Sequence, residues 1–186
     1  MQCVAAFALV SLMPAWAQIA TPQALTASAS NAPVVTAQKA PRVPMQTIRE
    51  LERNFNGRVR ATVVTDQPLD LVGDTRGIQL ENYGIVFTTE VSLGVVNLFG
   101  QTITKELAER VHKMRLDRMP VLKAAMKEMM RSMGTACTQI PSDQQLILAV
   151  RLYYGSWEDT TGMPAQIVMK ADRASAVKGI VEMEER

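Results

Sequence analysis

Residues 75–93 read TRGIQLENYGIVFTTEVSL and carry the clearest β pattern in the chain. Ile78 and Leu80 alternate with polar neighbours, as residues of a half-buried strand do. Glu81-Asn82-Tyr83-Gly84 then supplies residues that favour a turn. A second alternating run, from Ile85 to Leu93, places its apolar residues on one strand face. The pattern predicts an antiparallel hairpin, with a single strand bent at the glycine of the turn as the alternative.

A long amphipathic helix is predicted downstream of the hairpin. Thr102 or Thr104 can cap its first turn, and Gly134 ends it. Its apolar residues recur at spacings of three, four and once eight, and the eight-residue step skips Arg118. Pro120 lies in the same stretch and predicts a kink or a division into two helices. The stripe consists of Leu107, Val111, Met114, Leu122, Ala125, Met129 and Met133.

The segment before the hairpin predicts one helix and one strand. A helix begins near Met45, with Thr47 and Glu50 as a capping box, and ends at Asn56-Gly57. Arg58–Thr65 is rich in β-branched residues and predicts a strand. A loop is predicted for residues 66–74, after this strand.

The segment after the long helix predicts the centre of a sheet. Residues 145–154, QLILAVRLYY, are almost uniformly apolar, which favours a central strand. Residues 165–170 predict a further strand, and Asp172 can cap a C-terminal helix. The expected fold is therefore α+β: a two-layer sandwich with a largely antiparallel four- or five-stranded sheet. The long helix, with or without a kink at Pro120, covers one face.

The N-terminus has the pattern of an export signal. Residues 1–17, MQCVAAFALVSLMPAWA, are uncharged and end in a small-x-small cleavage site, although the usual basic residue near the start is missing. The apolar run is about half the roughly 20 residues that span a membrane. Residues 18–44, rich in Ala, Thr, Ser and Pro, predict a disordered spacer. We expect an exported, periplasmic or secreted protein with one domain at 45–178 and a frayed tail at 179–186.

Composition excludes several kinds of function. The 186 residues have a net charge of +2, which gives no whole-chain argument for a nucleic-acid partner. His112 is the one histidine, so a zinc or copper site lacks ligands, and we expect neither metal nor cofactor. No Gly-x-Ser-x-Gly motif occurs, and His112 is interpreted as a solvated surface residue, so no catalytic residue is assigned. Cleavage of the leader leaves Cys137 as a lone thiol, for which burial is expected.

Five side chains are candidates for ligand binding. Trp157 lies in a polar loop after the central strand, where it either plugs the edge of the core or presents an aromatic contact. Glu158 and Asp159 stand beside it and could pair with Arg76 across the end of the sheet. Tyr83 is the aromatic residue of the predicted turn.

Two of these regions carry a resemblance. Arg76-Gly77-x-x-Leu80-x-x-Tyr83-Gly84-x-Val86-Phe87, with Ser156-Trp157-Glu158-Asp159 later, resembles an uncharacterised family of exported bacterial proteins over about residues 45–178. The resemblance implies an exported domain and brings no activity, cofactor or site.

These observations favour a non-enzymatic binding or scaffolding domain of the cell envelope, with an envelope protein or polymer as partner. One alternative is a hydrolase that uses the loop carboxylates Asp74, Glu158 or Asp159. Another is a membrane-surface protein that uses the long helix, which carries four more cationic than acidic residues. The cations are Lys105, Arg110, Lys113, Arg115, Arg118, Lys123, Lys127 and Arg131, against Glu106, Glu109, Asp117 and Glu128.

Overall fold

The computed structural model describes residues 41–64, 67–94 and 102–186. The predicted export signal, and all of the predicted spacer except 41–44, lie outside these ranges. In chain order the elements are α1 (Met45–Ala61), β1 (Val63–Val64), β2 (Gln67–Pro68), β3 (Asp70–Leu80), β4 (Gly84–Ser92), α2 (Lys105–Ala136), β5 (Gln145–Leu152), β6 (Gln166–Asp172), α3 (Arg173–Val177) and β7 (Glu182–Glu185).

The main sheet has five strands in the order β3-β4-β5-β6-β7. All neighbours pair antiparallel except β4 and β5, which are parallel. Parallel neighbours need a long crossover, and α2 supplies it. The most apolar strand, β5, is central, as its composition predicts. The predicted α+β sandwich, with a largely antiparallel sheet and a long helix on one face, is confirmed.

The predicted hairpin is present, and its turn depends on a glycine. Leu80 pairs with Gly84 across a three-residue turn. Gly84 has a φ of 142°, and a Cβ at this position would lie 1.7 Å from the Gln145 carbonyl oxygen of β5. Only a residue without a side chain can adopt this backbone conformation so close to the neighbouring strand.

Methionines of α2 fill the core between helix and sheet. Met126, Met129 and Met133 are fully or almost fully buried, together with Phe87 of β4 and Leu148 of β5. The long, flexible methionine side chains fill the irregular space between a helix and a pleated sheet.

Helix α2 begins where expected and is not divided. The Thr104 hydroxyl accepts a hydrogen bond from the Leu107 N–H at 3.2 Å, so Thr104 is the cap. Pro120 lies inside one helical element that runs to Ala136 and ends at Cys137. The predicted burial of Cys137 is also confirmed.

Several predictions about the N-terminal half are wrong. Helix α1 continues to Ala61 through the first half of the predicted strand Arg58–Thr65, because Val59 extends the buried stripe of Ile48, Leu51 and Phe55 at helical spacing. Strand β3 begins at Asp70, inside the predicted loop. The capping box is not used either, since the residue that precedes the helix is Pro44 and no side chain caps it.

Both predicted boundaries of the domain also need correction. Val43, placed in the spacer, is buried, and its N–H donates to the Gln79 side chain at 2.9 Å. Residues 182–185, placed in a frayed tail, form strand β7 on the edge of the sheet. Lys123 of α2 holds this strand through a 2.6 Å ion pair with Glu185. Asp172 does cap a helix, but α3 has only five residues.

Candidate functional site

The five predicted binding residues do not converge. Tyr83 lies in the β3–β4 turn at one end of the sheet, and its carbonyl accepts from the Gln145 N–H where β5 begins. Trp157 lies in the loop after the other end of β5. A strand of eight residues separates these ends by about 25 Å, at roughly 3.3 Å per residue. Arg76 is exposed in mid-strand and pairs with Thr88, away from the helices.

Glu158 has a different partner from the one predicted. Both of its carboxylate oxygens accept from the guanidinium of Arg115 on α2, the Nη2 contact being 2.6 Å. The two side chains are only 3% and 4% exposed. Glu158 also accepts from the Gly155 N–H at 2.9 Å. The guanidinium lies 5.6 Å from the ring centroid of Tyr154. This buried ion pair holds the β5–β6 loop on helix α2.

Arg118, which interrupts the predicted apolar stripe, is itself part of the interior. Its side chain is buried and donates to the Leu93 carbonyl at 2.8 Å. Loss of hydration, together with the nearby charge of Arg115, lowers the pKa of Arg118. Arg115 and Arg118 lie one helical turn apart, so both point to the end of β4, and neither belongs to a solvated basic face.

The remaining loop residues contact one another or α2. Trp157 is half-buried, with its indole beside Gly155. The Asp159 carboxylate accepts from the Thr161 side chain and N–H, which lowers the pKa of Asp159. The Asp159 carbonyl lies 2.9 Å from Nδ1 of His112. His112 is therefore partly covered by the loop, whereas the sequence predicted a solvated residue.

A concave site appears elsewhere, along the outer edge of β3. This β3-edge groove has a volume of about 620 Å³, within the size range of ligand pockets. Helix α1 and the segment before it form one wall, and the end of β3 forms the other. Its lining consists of Arg42, Val43, Met45, Ile48, Gly77, Ile78, Gln79 and Glu81.

The groove presents apolar side chains to solvent. Ile78 is 61% exposed and Met45 is 59% exposed. Close packing of α1 on β3 shapes the floor, because a Cβ on Gly77 would lie 2.6 Å from both Ile48 and Phe87. An exposed apolar concavity of this kind is typical of interaction sites.

The sequence did not predict the groove because it assigned the wrong face of β3 to the core. The alternation of Ile78 and Leu80 indicated a buried apolar face, yet both residues point away from the helices and are exposed. Thr75 and Gly77 face α1 instead, and Gln79 faces the segment before this helix. The signal that could have revealed this is the small residues at 75 and 77, which let a helix approach closely.

Comparison with protein-family models, curated proteins and solved structures gave no match to this chain. The resemblance to an exported bacterial family therefore stays a prediction. In the described ranges, no three His, Cys, Asp or Glu side chains cluster as they would around a metal ion. Over the same ranges, no helix combines the length and the apolar character that a membrane span requires.

Proposed function

We propose that this protein is an exported, non-enzymatic binding module of the cell envelope, and that the β3-edge groove is its docking site. The observation that carries the proposal is the exposure of Ile78 and Met45 beside a concavity of about 620 Å³. Exposing such side chains to water is unfavourable unless a partner covers them.

The placement of the acidic residues favours binding over hydrolysis. Glu158 is used by Arg115 in the interior, and Asp74 pairs with Arg60 of α1 at 3.3 Å. A hydrolase that uses two carboxylates needs both within several ångströms of one substrate atom. Asp74 and Glu158 instead stabilise different parts of the fold.

The sheet face opposite the described helices extends the same apolar surface. Ile78 pairs with Val86 of β4, and Val86 pairs with Ile147 of β5, so the three side chains form one row across the sheet. Lys170 and Glu182 continue the row on β6 and β7 and form a 2.9 Å ion pair. A partner seated in the groove can therefore contact the β3–β5 half of this face, while the β6–β7 half stays charged.

Site-specific crosslinking tests the docking site. A photoreactive amino acid replaces Ile78 in one variant and Val177, an exposed apolar residue of α3, in the control. Irradiation in the host envelope is expected to give one discrete adduct at position 78 and none at 177. Met45→Asp in the Ile78 variant should abolish that adduct. Equal labelling at both positions would contradict the proposed site.

Export is tested separately by the mass of the protein recovered from the envelope fraction. We expect the N-terminus to be Gln18, because cleavage follows Ala15-Trp16-Ala17. Recovery of the intact chain from the cytosol would contradict export to the envelope, but it would not contradict the proposed docking site.

A further inference from the structure

The edge of β3 is covered by helix α1 along only part of its length. The Asn56 side chain accepts from the Thr75 N–H at 3.0 Å, and the Glu52 carboxylate accepts from the Gly77 N–H at 2.7 Å. These two side chains stand one helical turn apart and bind donors that point outward from an edge strand. They prevent another strand from pairing with this part of β3.

The next outward-facing position is Gln79. Edge residues alternate in direction, so the Gln79 N–H and carbonyl point the same way as those of Gly77. No described residue accepts from the Gln79 N–H. Its side chain is occupied, because the amide donates to the Pro41 carbonyl at 3.0 Å and accepts from the Val43 N–H at 2.9 Å. The main chain of β3 is thus left free at the point where it lines the groove.

The rim of the groove carries one charge of each sign. Arg42 and Glu81 both line it, both are exposed, and neither forms an ion pair with another described residue. A ligand that matches this rim carries an acidic and a basic group on either side of an apolar centre.

The opposite edge of the sheet is a poor alternative. Strand β7 has four residues, and three of them are the acids Glu182, Glu184 and Glu185. A short and highly charged edge strand repels further strands, and two copies of β7 would bring like charges together. Among the described strands, the end of β3 is the more accessible edge.

We propose that the β3-edge groove binds a short extended peptide of a partner protein, which adds as a strand beside Gln79. This inference rests on the proposed function and names the form of the partner. The peptide backbone bonds with the Gln79 N–H and carbonyl, and an apolar side chain enters the groove between Met45 and Ile78. Flanking acidic and basic residues meet Arg42 and Glu81.

Peptide binding to the full chain tests the proposal. The probes are the fluorescent seven-residue peptides ETVTVTK and KTVTVTE, with blocked ends, and versions N-methylated at the central residues. We expect one charge order to bind more tightly, and the double variant Arg42→Glu/Glu81→Arg to reverse the preference. N-methylation should weaken binding at least tenfold, since each lost main-chain hydrogen bond costs about fivefold to tenfold.

Two substitutions at Gln79 separate the main chain from the side chain. Gln79→Pro removes the edge N–H and should abolish peptide binding, because proline is tolerated on an edge but cannot donate. Gln79→Ala loses the same side-chain contacts but keeps the N–H, so it measures the loss of the side chain alone, and Gln79→Pro should bind the peptides at least about fivefold more weakly than Gln79→Ala. If Gln79→Pro does not fold, the N-methylated peptides still test the backbone contact on the parent chain.

Hydrogen exchange at Gln79 identifies the occupant. The Gln79 N–H should exchange freely in the unliganded chain and slow at least tenfold with saturating peptide. Protection before any peptide is added would place the chain's own N-terminal residues in the groove. Protection that rises with protein concentration would indicate a second copy, and either result would overturn the proposal.

The peptide data also separate this inference from the proposed function. Equal binding of methylated and unmethylated peptides, or no binding of any probe, overturns strand addition. If Ile78 still gives its specific crosslink in that case, the groove remains a docking site for a folded surface. If neither the peptide binding nor the specific crosslink at Ile78 is observed, the proposed function is contradicted as well.

Discussion

Removal of the Glu158 carboxylate should destabilise the protein more than the loss of any surface ion pair. Arg115 is 3% exposed, and in Glu158→Ala its charge would remain in the interior without its bidentate partner. The Gly155 N–H would lose its acceptor at the same time. Breaking a buried pair by removing one partner costs about 3–5 kcal/mol, chiefly because the remaining charge is not solvated.

The expected loss is a large fraction of the total stability. A domain of this size unfolds with a free energy of about 5–15 kcal/mol. Glu158→Ala should therefore lower the urea midpoint markedly, with an unchanged denaturant dependence if the native state stays intact. Replacing both partners, as Arg115→Met/Glu158→Leu, removes both charges of this pair and should cost less than Glu158→Ala alone.

The matched control is the ion pair between Arg151 and Glu90 on the sheet face opposite the described helices. These side chains are 76% and 44% exposed and lie 3.3 Å apart. Glu90→Ala should change the free energy of unfolding by at most about 0.5 kcal/mol, because exposed pairs contribute little. The reasoning would be refuted if Glu158→Ala cost no more than Glu90→Ala. It would also be refuted if the double variant were the least stable protein of the set.

Three further predictions concern single positions. Gly84→Ala should lower the free energy of unfolding in urea by more than about 3 kcal/mol or prevent folding. Gly162 has open space around it, so Gly162→Ala should lower it by only about 1 kcal/mol, because of the positive φ. Similar losses in the two variants would contradict the close approach of β4 and β5. Burial raises the pKa of Cys137 to about 11. At pH 8, iodoacetamide should therefore alkylate this thiol at least about 100-fold more slowly in the native chain than in the urea-unfolded chain, as measured by peptide mapping. Fast labelling of the native chain would show that the thiol is accessible. Pro120→Ala should raise the free energy of unfolding by about 1–3 kcal/mol, because the alanine N–H can donate a hydrogen bond to the Leu116 carbonyl. A destabilised variant would mean that the surrounding structure depends on the proline.

The large elements were predictable because local and tertiary preferences agree in them. The turn residues between β3 and β4 favoured a hairpin over a bent strand, and the apolar run of β5 favoured a central strand. A threonine at 102 or 104 was expected to cap α2. The fold has the hairpin, the central strand and a cap at Thr104. The end of α1 was mispredicted because Val59 has two roles. Its β-branched neighbourhood favours a strand, but its spacing from Phe55 buries it against the core as part of a helix, and the packing decides.

The candidate site was less predictable because it depends on which side of a strand a helix covers. Ile78 and Leu80 carry the apolar pattern of β3, so sequence reasoning places them in the core. The helix instead covers Gly77, where its Ile48 side chain reaches Phe87 of β4. A two-residue period shows which residues share a face of a strand, but it does not show which face is buried. Glycine has no apolar side chain, so Gly77 does not mark its face as the buried one.

The buried arginines show why charge patterning misdirected the functional interpretation. Counted along the sequence, Arg115 and Arg118 add to a basic helix that suggests a membrane or anionic partner. In the fold both are interior, and Glu158, which suggested a catalytic loop, neutralises one of them. Arg115 and Glu158 attach the β5–β6 loop to α2, and Arg118 binds the Leu93 carbonyl just after β4. The proposed docking surface is instead the groove beside Ile78 and the main chain of Gln79. Its two rim charges, Arg42 and Glu81, lie far apart in the sequence and form no charge pattern there.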